Sequence, residues 1–147
     1  MPDEEPVMSE VDWEVLGVCE EVSEACSESL LWEIVEDAWR HQGAVALAEG
    51  VDLRERWGPW LAGLSVEDLL SDGMSPTEIL LAASLLGATR GRLEFGISEL
   101  ETIPALLGRG HPGNVMAKMQ AGCEAVQKAV EGCRELERLE RAKAGVA

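Results

Sequence analysis

The chain has 147 residues, 46% hydrophobic and 27% charged, with 28 Asp and Glu against 12 Lys and Arg and a formal net charge of −16. That length fits one domain, large enough to bury a core without disulfide or metal staples. Its acidity opposes phosphate backbones and anionic lipid, and the basic residues are scattered or interleaved with Glu, so no direct nucleic-acid or membrane partner is expected.

The first ten residues, MPDEEPVMSE, have the character of neither a secretory signal nor a transit peptide. The longest apolar run, ILLAASLLGA at 79–88, is too short to span a bilayer. A cytoplasmic protein is the expectation. The cysteines are Cys19, Cys26, Cys123 and Cys133; with no C-x-x-C pair they read as buried reduced thiols.

Residues 1–8 read as a flexible acidic start, and 9–147 as a single helical domain. Ser9 and Asp12 form a capping-box pattern. Behind them Val11, Val15, Val18, Val22 and Ala25/Cys26 recur at helical spacing and define one apolar face. A second helical stretch carries Leu30, Leu31, Ile34, Val35 and Ala38 and runs to about Gln42. Gly43 and Gly50 read as punctuation, Asp52 and Glu55 as the cap of a short helix, and WGPW at 57–60 as a turn. Ser65 and Asp68 start another short helix that Gly73 can end. Ser75, Pro76 and Glu78 supply the cap, the first helical position and the box of the clearest helix. Its middle is apolar nearly all round, which predicts a central core helix. GRGHPGN at 108–114 is a loop. The longest helix is predicted at 114–141, where Met116, Met119, Cys123, Val126, Val130 and Cys133 follow a 3-4-3-4-3 spacing, an a/d seam suited to helix pairing. No stretch alternates as a strand does. The sum is an all-α compact bundle of five to seven helices with a long C-terminal helix.

Seven carboxylates crowd residues 20–37 without a Lys or Arg: Glu20, Glu21, Glu24, Glu28, Glu33, Glu36 and Asp37. Opposite an apolar stripe, they read as a solvated acidic face available to a basic partner. The same residues resemble the E-E-x-x-E … E-x-x-D pattern of the all-α nucleotide pyrophosphohydrolases, with Glu at 36 where that family carries Asp. The resemblance implies a divalent ion held by Glu20, Glu21, Glu24, Glu33 and Asp37. Residues 73–93 resemble a helix-turn-helix in outline, lengthened between Gly73 and Gly87. Residues 73–104 are similar to the helical cap domain of corrinoid-binding methyltransferase proteins at Gly73, Ser75, Pro76, Glu78, Ile79, Leu80, Gly87, Gly91, Phe95 and Pro104. That resemblance implies a cap-like helical bundle and transfers no corrin ligand, because the cobalt-binding D-x-H-x-x-G is not intact at His111.

His41 and His111 have no Cys within ten residues, and no nucleophile elbow, Walker loop or dinucleotide fingerprint occurs. The sequence therefore names no catalytic or metal residue and no cofactor. It points to a non-catalytic acidic helical module for protein–protein interaction, an adaptor, chaperone or assembly subunit. A basic-surfaced protein or a second copy of the chain is the expected partner. The alternatives are the metal-dependent hydrolase, a DNA mimic and the corrinoid-protein cap.

Overall fold

The computed structural model describes residues 28–145, and they form three long helices in an up-down-up bundle. Helix α1 covers residues 28–63 and contains a π-helical stretch at Trp39–Gly43 that leads into Ala44–Gly63. A single 3₁₀ turn, Val66–Leu69, links it to α2, Pro76–Leu106. Residues 107–111 turn the chain into α3, Pro112–Lys143.

All-α architecture is as the sequence predicts, but five to seven helices is an overcount: the described residues hold three. Each presumed break has a packing explanation. Gly43 does not end a helix. A Cβ there would lie 2.4 Å from Trp39 Cε3 and 3.2 Å from Met119 Cγ, so its absence makes room for the indole. Gly50, Gly96 and Gly122 converge where α1, α2 and α3 meet. A Cβ on Gly50 would approach Ile97 Cγ1 at 3.0 Å; on Gly96, Val126 Cγ2 at 2.7 Å and the Gly122 carbonyl at 3.0 Å; on Gly122, Leu100 Cγ at 2.7 Å. These glycines let backbones come close rather than stop helices. WGPW does not turn either. Pro59 sits inside α1 near its end, where it denies a hydrogen bond only to the carbonyl of Glu55, an exposed residue open to water.

The helix starts follow their sequence cues. Ser65 and Asp68 form a reciprocal capping box on the 3₁₀ turn, with the Ser65 amide 2.9 Å from the Asp68 carboxylate. Ser75 and Glu78 do the same for α2, at 2.9 and 3.2 Å. These hydrogen bonds, from the capping Ser backbone foremost, hold both carboxyls below the usual carboxylate range. His111 Nδ1 accepts from the Gly113 amide at 3.1 Å to open α3, so this helix starts inside the segment the sequence reads as loop.

Two apolar clusters fill the bundle, one on either side of the glycine junction. One gathers Leu53, Leu61, Leu69, Leu86, Leu93 and Leu136. The other gathers Val35, Leu100, Ile103, Val115, Met119 and Val126. Leu69, wholly buried, comes from the 3₁₀ turn. Arg90 on α2 donates to the carbonyls of Leu61 at 2.7 Å and Leu64 at 2.5 Å, satisfying orphan acceptors at the C-terminal end of α1. Trp60 Nε1 donates to Glu140 at 3.1 Å, and Lys143 donates to the Glu67 carbonyl, so the end of α3 is tied to α1 and to the turn.

Candidate functional site

Three of the seven clustered carboxylates, Glu20, Glu21 and Glu24, lie outside the described residues. Glu28, Glu33, Glu36 and Asp37 lie on α1, with Glu36 half-buried and the others exposed. Asp37 is engaged locally, 3.9 Å from Arg40 and 3.2 Å from His41. Among the described residues no three His, Cys, Asp or Glu side chains gather as a metal site would require, and no helix is long and apolar enough to cross a membrane.

The a/d seam of α3 divides in two. Met119, Val126 and Cys133 are buried in the bundle's own core. Met116, Cys123 and Val130 are half-buried, and the last two line a groove of about 390 Å³ between α1 and α3, beside the exposed Val45. Burial pushes the Cys133 thiol up to about 11, with the Glu137 charge adding to it, and burial also raises Cys123. Neither environment favours the thiolate that nucleophilic or ligand chemistry needs.

The surface that stands out is on α2, and sequence reasoning assigned it to the core. One face of this helix, with Ala82, Leu86, Thr89, Leu93, Ile97 and Leu100, is buried. The opposite face carries Leu80, Ser84, Gly87, Gly91, Phe95 and Ser98, all exposed, at spacings of four, three, four, four and three. This stripe runs about 27 Å along the helix and holds no charged residue. Leu80 is 67% exposed, its neighbour Leu81 63% and Phe95 50%. Beside Leu81 a groove of about 210 Å³ opens between α2 and α3, with Met74, Leu85 and Leu139 on its apolar side and Glu78 and the Glu135–Arg138 pair at its charged edge.

A helix with one side in water ordinarily dresses that side in charge. Here more than a quarter of all residues are charged, yet the outer stripe has none. At Gly87 and Gly91 a Cβ would find no heavy atom of the described residues within 4 Å. Nothing inside the bundle calls for glycine at either position. The signal was present in the sequence as a second uncharged 3-4 register, offset by half a turn from the buried one.

No protein-family model, no curated protein and no solved structure matches the chain.

Proposed function

We propose that this protein is a non-catalytic, acidic helical module for protein–protein interaction, and that the outer face of α2 is where a partner docks. One observation carries the reading. Two helix-interior glycines and two large apolar side chains occupy an open, charge-free stripe on an otherwise strongly acidic chain. Each glycine costs a helix about 0.5–1 kcal/mol relative to alanine, and exposed Leu and Phe gain nothing in water. A second helix laid along the stripe would bury the apolar groups and use the room above the glycines. The thirteen acidic residues among the first 39, with no Lys or Arg, would add a field that speeds encounter with a basic protein.

The test is affinity capture from the native source, with substitutions on and off the stripe. Proteins retained by the wild-type chain should be lost with Leu80→Glu or Phe95→Glu and kept with Glu33→Gln. Loss with Glu33→Gln alone would move the docking surface to the acidic face of α1. No self-association and no specific capture would remove the interaction reading.

A further inference from the structure

The molecule shows on its inner side how it joins helices. Where α2 meets α3, Gly96 and Gly122 bring the two backbones together, with large apolar side chains on either side. The outer side of α2 repeats the arrangement with no partner among the described residues: Gly87 and Gly91 in the middle, Leu80 and Phe95 at the ends, serines between and beyond. An interface of this composition is suited to its own likeness, because glycine opposite glycine gives the closest approach and leucine opposite leucine the best apolar match.

The charges flanking the stripe give the pairing a direction. Arg92 follows Gly91 by one residue and Glu94 precedes Phe95 by one, so the two exposed side chains border the stripe on opposite flanks. Two α2 helices packed in parallel about a two-fold axis set each flank against the other copy's opposite flank. Arg92 of each copy then stands beside Glu94 of the other, twice per interface. Packed antiparallel about a two-fold axis, like flanks meet, so Arg92 of one copy and Glu94 of the other lie on opposite sides of the interface and do not pair. The −16 charge of each copy opposes association at long range, but the stripe carries none of it, and physiological salt screens separated surface charges beyond about 8 Å.

Resting on the docking reading above, we propose that the occupant of the outer face of α2 is a second copy of this chain, paired in parallel through Leu80, Gly87, Gly91 and Phe95 with reciprocal Arg92–Glu94 contacts. Such an isologous interface closes at the dimer.

The experiment is light scattering and sedimentation of the full chain in physiological salt, from about 1 µM to 1 mM. The expected mass rises from 15.9 kDa to twice that value. Gly91→Glu, at a position with open space above it, should weaken association at least about tenfold while helix content and denaturation of the monomer stay intact. Arg92→Glu should weaken it as well, and Arg92→Glu combined with Glu94→Arg should restore it to within a few-fold of wild type. A chain that is monomeric throughout, a dimer indifferent to Gly91→Glu, or a charge swap that fails to restore would each overturn the proposal. The proposal and the docking reading fail separately. A monomer that still captures a foreign protein through Leu80 and Phe95 overturns only the dimer. A monomer that Gly91→Glu destabilises, because residues 1–27 of the same chain cover the stripe, overturns both.

Discussion

The inner and outer glycines of α2 and α3 occupy similar helical backbone and do opposite things. At Gly132 a Cβ would fall against Thr89 Oγ1, and at Gly96 it would collide with Val126 and with α3 backbone; at Gly87 and Gly91 it would meet nothing among the described residues. The inner set is repaid in the folded monomer by close helix contact. The outer set receives no such compensation within the described fold. Helix propensity alone would have replaced the outer glycines with alanine, so their presence is intelligible if something external approaches the backbone there. The lesson is that a glycine's neighbours, and not its position in a helix, decide whether it stabilises or weakens the fold.

The contrast breaks most visibly at Gly96. Gly96→Ala should destabilise the fold by about 3 kcal/mol, because overpacking against backbone leaves no flexible side chain to yield; urea denaturation measures it. Gly132→Ala should be severe too, and Thr89→Ala in the same chain should recover part of the loss by removing Oγ1 and the methyl. If Gly96→Ala were neutral, the close α2–α3 approach would be wrong. The opposite sign is expected outside. Gly87→Ala with Gly91→Ala should stabilise the chain by about 1–2 kcal/mol together, measured at protein concentrations where it is monomeric so that association does not enter.

A smaller effect sharpens the comparison at the helix start. Ser75→Ala should cost about 1 kcal/mol by removing the cap on α2. The capped Glu78 carboxyl has its folded pKa depressed below the ordinary glutamate value, chiefly by the Ser75 backbone hydrogen bond. Its contribution is therefore fully present above that value and is lost as pH falls through the folded pKa. The difference between wild type and Glu78→Gln should shrink on acidification below about 4.3. A difference that grew instead would show that the carboxylate is not held by the cap.

The legible parts of this fold were those governed by local chemistry. Ser75, Pro76 and Glu78 announce α2 because capping needs only neighbours in sequence. The apolar repeat of α3 marks that helix to within two residues at each end, 114–141 against Pro112–Lys143. The illegible parts depended on contacts between distant residues. Gly43 and Gly50 look like helix breakers until Trp39, Met119, Ile97 and Val126 are seen against them. The outer stripe of α2 was hidden for a related reason. A helix with few charges reads as buried on every side, and the buried and exposed registers of α2 are separated only by which of them has neighbours. Of the acidic cluster, Asp37 forms pairs that i+3 and i+4 spacing makes readable, whereas the groove beside Cys123 and Val130 needs α1 in place to exist.

The junction of Gly50, Gly96 and Gly122 has a dynamic consequence. With little side-chain mass at that level, the leucine-rich end of the bundle and the end holding Val35, Ile103 and Val115 are joined by the helices' own backbones and by a few side chains, Leu47, Ile97 and Val126. Such a waist favours opening in two steps. Amide hydrogen exchange would then report separate protection for each end, with the half nearest the α2–α3 turn released first.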